Sequence, residues 1–301
     1  MKRAAIILAS GEGTRLAELT RRADGVHVPK QFCGLFGKPS LLEQTRRRVS
    51  RSVAQDRVSF VLNKAHERFF SSLLAGVPPA RMVVQPRNRG AGPAILYSLL
   101  RLAQWAPEAS VLLIPSDHHV ADEERLMKYV DLVFAAVEAN QQLIVLLGIS
   151  ADEPETGYGW IESGPPSIVA QANIYKVQGF WEKPSRELAL RLLARRCLWN
   201  SLMLVGQLSR LFELFILTVP ELHVSFSKIR LSLGTVFEEE SARRLYDELR
   251  TLDFSRDVLQ SVPQNLSVLP VSGVGWSDLA EPHRVTEALA RYGAQQKEAL
   301  G

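Results

Sequence analysis

The stretch Ala4-Ala5-Ile6-Ile7-Leu8-Ala9, followed after Ser10 by Gly11-Glu12-Gly13-Thr14-Arg15-Leu16, decides the fold of this chain. A continuous apolar run of this length is typical of a strand that is buried on both faces of a parallel sheet. Glycines in the turn after such a strand let backbone N–H groups approach phosphate oxygens without a Cβ in the way. Arg15 and, further along, Lys30 bring two cations to the same anion. The segment therefore predicts a strand and turn that bind polyphosphate.

Two other glycine-rich phosphate loops are excluded by residue type and spacing. The dinucleotide-binding fingerprint needs a third glycine where Leu16 stands. The segment from Gly34 to Pro39 contains Gly37-Lys38 but has the wrong spacing for a Walker loop, and Pro39 replaces its Ser or Thr. A plain turn between strand and helix would need no arginine.

The first half of the chain alternates short apolar runs with amphipathic stretches. Strands are predicted at Arg3–Ala9, Arg57–Asn63, Ala80–Gln85, Ser110–Pro115 and Gln142–Ile149. Helices are predicted at Ser40–Val53, Ala65–Ala75, Pro93–Ala106 and Glu123–Ala139, with a capping box from Ser40 to Glu43 at the start of the first. This rhythm predicts an α/β fold whose mixed, mostly parallel sheet is flanked by helices.

The second half has a different texture but no repeat and no linker rich in Pro, Gly or Ser. The glycine- and aromatic-rich stretch 155–162 is typical of a loop that leads into a strand. Further strands are predicted at Ile174–Trp181, Leu202–Val205 and Asn265–Val271, and helices at Ser185–Arg196, Leu208–Val219, Ser241–Thr251 and Pro282–Leu300. We therefore expect a second lobe that is grafted onto the same sheet.

Composition indicates a globular protein that handles small anions. The 301 residues are 46% apolar and 23% charged, with a net charge of +4, which argues against disorder. The one dense basic run is Arg46–Arg51, in a predicted helix. Because consecutive side chains of a helix point in different directions, this run does not form a basic stripe along one face, and nucleic acid is not an expected partner. Cys33 and Cys197 lack metal-ligand spacing and fit a reducing cytoplasm. No run approaches the ~20 apolar residues that cross a bilayer, so we expect a cytoplasmic protein without membrane contact.

Two aspartates could form a magnesium site. Asp117 follows the strand Ser110–Pro115, and ligands of open α/β sheets bind at the carboxyl ends of strands. Mg²⁺ is often held by one or two carboxylates together with substrate phosphates. Asp278 supplies a second carboxylate late in the chain, although each aspartate alone could equally cap a turn. Because neighbouring side chains diverge, His118 and His119 are interpreted as structural residues and not as a metal pair.

A second cluster of polar residues could bind a sugar phosphate. Glu182 and Lys183 follow a predicted strand; as an exposed ion pair they would contribute well under ~1 kcal/mol. The functional alternative is that Glu182 accepts a sugar hydroxyl and Lys183 binds a phosphate. The Asn200 amide could contact another hydroxyl, and Gly157 and Gly159 could let the backbone approach a sugar ring.

Eight segments in order resemble the mannose-1-phosphate guanylyltransferases, within the sugar-1-phosphate nucleotidyltransferase family. They are Gly11–Leu16, Pro29–Phe32, Gln85–Ile95, Pro115–His118, Thr156–Ile161, Glu182–Ser185, Trp199–Ser201 and Gly275–Leu279. The resemblance implies a Rossmann-like fold of the nucleotide-diphospho-sugar transferase type. It implies one nucleotidyltransferase domain over 1–301, with a nucleotide-binding half at 1–150 and a sugar-phosphate-binding half at 151–301, and no C-terminal isomerase or β-helix domain.

The resemblance also implies an activity, in which GTP and α-D-mannose 1-phosphate give GDP-mannose and pyrophosphate with Mg²⁺ as cofactor, and a homodimer is a possible assembly. The implied catalytic residues are Arg15, Lys30, Asp117 and Lys183. The implied nucleotide-binding residues are Ala9, Gly11, Gly13, Thr14, Gln85, Asn88 and Gly90. The implied sugar-phosphate-binding residues are Gly157, Tyr158, Gly159, Glu182, Lys183 and Asn200. The implied metal ligands are Asp117 and Asp278.

The sequence departs from the family pattern at Leu202 and Ala280, where the family has glycine after Trp-Asn-Ser and Trp-Ser-Asp-Leu. Two alternatives therefore stand beside the main hypothesis. One is the same chemistry on another sugar 1-phosphate or another nucleoside triphosphate. The other is a non-catalytic regulatory protein that binds a nucleotide sugar.

Overall fold

The computed structural model describes residues 2–21, 25–35, 39–279, 281–288 and 290. The strands in these ranges are β1 (Arg3–Leu8), β2 (Val58–Asn63), β3 (Met82–Gln85), β4 (Ser110–Pro115), β5 (His119–Val120), β6 (Ile144–Ser150), β7 (Gly159–Val169), β8 (Ala172–Glu182), β9 (Leu198–Gln207), β10 (Ser267–Val271) and β11 (Trp276–Ser277). The α-helices are α1 (Leu41–Val49), α2 (Glu67–Phe70), α3 (Ala91–Ala103), α4 (Glu123–Ala139), α5 (Arg186–Ala194), α6 (Leu208–Thr218), α7 (Pro220–Ser227) and α8 (Glu238–Glu248).

Strands from both halves of the chain form one nine-stranded sheet in the order β3-β2-β1-β4-β9-β6-β10-β8-β7. The first four strands in this order, β3, β2, β1 and β4, are parallel to one another. β9 runs antiparallel to both β4 and β6, and β8 runs antiparallel to both β10 and β7. Every other strand of this sheet shares one direction, which confirms the prediction of a mixed, mostly parallel sheet. β5 and β11 form a separate two-stranded sheet.

Helices bury both faces of the nine-stranded sheet. In β1, Ala4 and Ile6 pack into the core on one face, while Ala5 and Ile7 pack into the core on the other, as the alternation of side chains along a strand requires. The first core includes α3, α6, α7 and α8, and the second includes α1, α4 and α5. This double burial explains why the strands of the first half read as unbroken apolar runs.

Several helices begin where their capping residues predict. The side chain of Ser40 accepts the Glu43 N–H at 3.3 Å, and the Glu43 carboxylate accepts the Ser40 N–H at 3.0 Å, which completes the predicted capping box of α1. Asp122 accepts the Arg125 N–H at 2.8 Å and caps α4. Among the helices of the described ranges, none has both the length and the apolar character that a bilayer crossing demands.

Some predicted elements differ from the observed ones. In place of the predicted helix Ala65–Ala75, the structure has a 3₁₀ helix at Lys64–His66 and then the single turn α2, after which the chain continues in turns. The short strand predicted at Leu202–Val205 is the inner part of the longer β9. α7 was not predicted at all. The predicted closing helix is observed over 282–288, and its final part, 291–300, lies outside the described residues.

Candidate active site

The glycine turn and Asp117 leave the sheet from neighbouring strands. β1 and β4 pair with Leu8 opposite Pro115. Just beyond this pair, Ser116 donates its backbone N–H to the Leu8 carbonyl at 3.0 Å and its hydroxyl to the same oxygen at 2.7 Å. Both segments therefore start at one carboxyl-end edge of the sheet, where open α/β folds bind their ligands.

The glycine turn is hydrogen-bonded to the segment that contains Lys30. The buried Gln31 amide donates to the Ala9 carbonyl at 3.1 Å and to the Gly11 carbonyl at 2.7 Å. Gly13 has a φ of 64°, and a Cβ there would lie 3.1 Å from the backbone nitrogen of Lys30. Glycine is thus needed at this position both for its backbone conformation and for its close approach. Sequence reasoning did not single out Gln31.

Two predicted features of this region are described only in part. Thr14 is exposed and begins a short 3₁₀ helix, Thr14–Leu16, whose backbone includes Arg15. The Arg15 side chain lies outside the described part of the molecule, as does Ala280. The triphosphate role assigned to Arg15 stays a prediction.

Lys30, Asp117 and Asp278 meet at one point. The Lys30 ammonium, which is buried, lies 3.1 Å from Asp117 Oδ2 and donates a short hydrogen bond to the backbone carbonyl of Asp278. The two aspartates are brought together by the two-stranded sheet, in which Ser277 of β11 pairs with His119 of β5. Parts of the chain that are far apart in sequence thus form one charged cluster.

The electrostatics of this cluster favour an ionised Asp117. Burial by itself raises the pKa of the Asp117 carboxyl, but the attraction to Lys30, together with that to His118 and the hydrogen bonds to the carboxylate, outweighs burial, so the pKa lies below its ordinary value. Burial lowers the pKa of His118, which favours a neutral ring. The Trp276 indole donates to His118 Nδ1 at 3.2 Å. His118 therefore has the packed, hydrogen-bonded surroundings of a structural histidine, as the sequence predicts.

Asp117 and Asp278 have the chemistry of a magnesium site that shares its ligands with a substrate. Both offer carboxylate oxygens, which are the hard donors that Mg²⁺ prefers. The described ranges contain no group of three or more His, Cys, Asp or Glu residues that could hold a metal on its own. A divalent cation bound here would therefore take its remaining ligands from water and phosphate oxygens, and the residues present fit that arrangement.

The segment 85–90 lies across from the glycine turn. The Asn88 amide donates to the Glu12 carboxylate at 3.0 Å, and Asn88 Oδ1 accepts the Gly90 N–H at 2.9 Å. Asn88 thereby connects the two predicted nucleotide-binding segments. Gln85 is fully buried and accepts the Tyr246 hydroxyl at 3.2 Å, so its side chain lies beneath this segment and not at its exposed surface.

Three strands bring the predicted sugar-phosphate residues together. Gly159 of β7 pairs with Glu182 of β8, while the next residue of β7 pairs with Trp199, the neighbour of Asn200 in β9. A Cβ on Gly159 would lie 2.6 Å from Glu182 Oε2 and 3.1 Å from the Asn200 Cβ. Glycine therefore lets the Glu182 carboxylate and Asn200 lie this close to the backbone of β7. Burial, and then the nearby Asp253, raise the pKa of Glu182.

The segment 253–260, which sequence reasoning did not place in the site, closes this pocket. Lys183 Nζ lies 3.2 Å from Glu182 Oε1 and 3.8 Å from Asp253 Oδ2. The Asn200 amide donates to the Ser255 hydroxyl at 3.2 Å, and the Glu182 backbone N–H donates to the Gln260 side chain at 2.6 Å. None of the eight segments that carry the resemblance includes this part of the chain.

Tyr158 connects the two clusters. Its hydroxyl donates to Asp278 Oδ1 at 2.6 Å, and its backbone carbonyl accepts the Lys183 N–H at 3.1 Å. The side chain is buried against Trp199 and Trp276, and its hydroxyl faces the Asp278 carboxylate. The sugar-phosphate role predicted for Tyr158 thus falls to its backbone and stays a prediction.

Three comparisons with known proteins show what this chain is similar to. The chain is 36% identical over 211 residues to the xanthan biosynthesis protein XanB of Xanthomonas campestris pv. campestris (strain B100). This match covers 69% of this chain and 43% of that protein. It is 31% identical over 297 residues to mannose-1-phosphate guanylyltransferase 2 of Escherichia coli O157:H7, which covers 91% of this chain and 57% of that protein. The chain thus spans about half the length of the curated relatives it matches.

The crystal structure of mannose-1-phosphate geranyltransferase from Thermus thermophilus matches with a TM-score of 0.78 at 27% identity, over 93% of this chain and 77% of that chain. This match shows the nucleotide-diphospho-sugar transferase type of fold that the resemblance implied. The model of the nucleotidyl transferase family matches residues 4–291, nearly the whole sequence. The chain therefore belongs to the nucleotidyl transferase family.

Proposed function

We propose that this protein transfers the guanylyl group of GTP to α-D-mannose 1-phosphate, giving GDP-mannose and pyrophosphate. The observation that carries the proposal is the convergence of Lys30, Asp117 and Asp278 beside the glycine turn, with the Glu182–Lys183 pocket joined to it through Tyr158. The guanylyltransferase name of the Escherichia coli relative, at 31% identity, supports GTP and mannose 1-phosphate as the substrate pair.

The proposed reaction needs little covalent chemistry from the protein. A phosphate oxygen of the sugar phosphate bonds to the α-phosphorus of GTP, and the bond from that phosphorus to the bridging oxygen breaks as pyrophosphate leaves. Catalysis then consists of positioning two polyanions and stabilising charge as it shifts towards the leaving group. Lys30 and Arg15 serve the triphosphate, and Lys183 serves the phosphate of the sugar.

The proposal includes Mg²⁺ held by Asp117 and Asp278. When bound there, Mg²⁺ would neutralise phosphate charge and polarise a phosphoryl oxygen. Asp117 is suited to this role because Lys30 and its other neighbours hold the pKa of its carboxyl below the ordinary value. Glu182 and Asn200 orient the sugar through its hydroxyls, and the glycines at 157 and 159 admit the ring.

The test is release of pyrophosphate from GTP and mannose 1-phosphate with Mg²⁺, compared across a panel of nucleoside triphosphates and sugar 1-phosphates. Lys30→Met should lower kcat by about 10²–10³-fold, on the scale of one lost charge-stabilising donor. Lys128→Met is the matched control, because Lys128 is exposed on α4 and pairs there with Glu124, at 2.8 Å. Equal activity in the two variants would contradict the role of Lys30.

The same panel separates the alternatives. Turnover of another pair, with GTP and mannose 1-phosphate idle, would establish the same chemistry on a different substrate. Binding of GDP-mannose without pyrophosphate release from any pair would indicate a regulatory protein. The structural observation that favours this alternative is Leu202, a non-glycine residue with a φ of 56° where the family has glycine. The cytoplasmic location and the homodimer stay predictions.

A further inference from the structure

We propose that Tyr158 is a positioning residue for the Asp278 carboxylate, and that Arg284 holds Tyr158 in place. Neither side chain would touch the metal or the substrates, yet together the two side chains would set how tightly the site binds a divalent cation. The inference rests on the proposed function, because it takes Asp278 as a metal ligand.

The first step is the contact between Tyr158 and Asp278. The Tyr158 side chain is only 6% exposed, and its hydroxyl lies 2.6 Å from Asp278 Oδ1. Its ring packs edge-on against Trp199 and Trp276, with centroids 5.2 and 5.4 Å away. A rigid donor to one carboxylate oxygen fixes the rotation of the whole carboxylate, which is how partners of metal ligands raise metal affinity.

The second step is the hold of Arg284 on the loop that carries Tyr158. Arg284, only 7% exposed by its side chain, lies 2.8 Å from Glu155 Oε2. Its guanidinium carbon lies 5.6 Å from the centre of the Tyr158 ring. The other oxygen of Glu155 accepts the Gly157 N–H at 2.8 Å, and the Glu155 carbonyl accepts the Trp160 indole N–H at 2.7 Å.

The two steps form one connected support. Glu155 fastens the chain on both sides of Tyr158, Arg284 fastens Glu155 and covers the tyrosine ring, and the tyrosine hydroxyl reaches Asp278. Arg284 also contacts Glu153, so the guanidinium is neutralised by the loop it holds. Loss of such an outer partner typically costs about 10- to 100-fold in metal affinity or activity.

The experiment measures GTP affinity by calorimetry, once with a chelator and once with saturating Mn²⁺. Binding of Mn²⁺ together with GTP should be tighter than binding of GTP alone in the wild type. We call the ratio of GTP affinity with Mn²⁺ to GTP affinity without metal the gain from Mn²⁺. In Tyr158→Phe, GTP affinity without metal should stay unchanged, while the gain from Mn²⁺ should fall by about tenfold or more. Arg284→Gln should change the gain in the same direction, and excess Mg²⁺ should restore pyrophosphate release in both variants.

The control variants lose matching contacts elsewhere in the fold. Tyr97 donates its hydroxyl to Glu238 at 2.8 Å in the core on the opposite face of the sheet. Arg101 is similarly buried and lies 3.0 Å from the same carboxylate. Tyr97→Phe and Arg101→Gln should leave the gain from Mn²⁺ at the wild-type value.

Three results would overturn the inference. One is a wild-type gain from Mn²⁺ in Tyr158→Phe. Another is an equal loss of GTP affinity with and without metal, which would indicate a merely structural role. The third is a wild-type protein whose GTP affinity does not respond to Mn²⁺. A wild type that responds to Mn²⁺ through Tyr158 but releases no pyrophosphate would support the inference and refute the proposed reaction.

Discussion

Glu182 shows how a single residue of the pocket can oppose stability in the absence of substrate. Its side chain is 7% exposed, and its Oε2 atom has no hydrogen-bond partner within the described part of the protein. The other carboxylate oxygen, Oε1, pairs with the partly exposed Lys183 ammonium. A substrate hydroxyl that donates to Oε2 would satisfy this buried acceptor, which is consistent with the sugar-binding role proposed for the residue.

This surrounding predicts a pH dependence with a definite sign. Because burial and Asp253 raise the pKa of Glu182 in the folded state, its contribution favours folding below the pKa of the unfolded chain and is lost as the pH rises through the folded pKa. Urea unfolding at pH 4 to 8 should therefore show Glu182→Gln gaining stability relative to the wild type as the pH rises. Glu187→Gln, on the exposed surface of α5, should show no such trend, and a constant difference for Glu182→Gln would refute the prediction.

At the scale of elements, the segment 85–92, for which nucleotide binding is proposed, is joined through the backbone of Leu252 to the segment 253–260. The Leu252 N–H donates to the Arg89 carbonyl at 3.0 Å, and the Leu252 carbonyl accepts the Gly92 N–H at 3.1 Å. Gly90, between these two, has a φ of 83°, and a Cβ on it would overlap the Leu252 carbonyl oxygen. The two segments can approach this closely only because position 90 has no side chain.

Gly90→Ala should therefore impair both substrates at once. The new Cβ must push away Leu252 and with it the segment 253–260, so we expect KM to rise for GTP and for the sugar phosphate, and unfolding free energy to fall by about 1–3 kcal/mol. Steady-state kinetics and urea unfolding measure the two effects. Gly25→Ala is the matched control, since Gly25 also has a φ of 83° but no atom of the described residues within 4 Å of its Cβ position. An effect on KM for GTP alone would contradict the proposed connection.

The elements that could be predicted from sequence are those whose limits are set locally. α4 and β4 are confirmed at both ends, α4 because Asp122 caps its start. β9 was predicted too short, because its first residues pair with β6 and β7 and its last with β4. Its position between β4 and β6 depends on contacts between distant parts of the chain, which no local pattern encodes.

At the scale of the whole molecule, the sequence predicted that the cations Arg15 and Lys30 would converge on one cleft with the carboxylates Asp117 and Asp278. The structure brings Lys30, Asp117 and Asp278 together, while the Arg15 side chain lies outside the described residues. For Asp117 that prediction was possible because residues after parallel strands share one edge of the sheet. Lys30 and Asp278 follow no strand of that sheet, and their place in the site was implied by the family resemblance. The Tyr158 and Arg284 contacts could not be predicted, because they depend on how the loop before β7 packs against the helical segment 282–288. Tyr158 was predicted only as a sugar-phosphate-binding residue, and Arg284 lies in none of the segments that carry the resemblance.

Because these contacts are continuous, we predict that a ligand bound in one half of the site also stabilises the backbone of the other half. Lys30 reaches Asp278, Asp278 reaches Tyr158, and Leu252 ties the nucleotide segment to 253–260. GTP with Mg²⁺, added without sugar phosphate, should therefore slow amide hydrogen exchange at 155–159 and 253–260 as well as at 85–93, because ordering one set of partners raises the cost of opening the others. Hydrogen–deuterium exchange with mass spectrometry measures this, with α7 as the internal control that should not respond. Protection restricted to 85–93 would mean that the two halves of the site open independently.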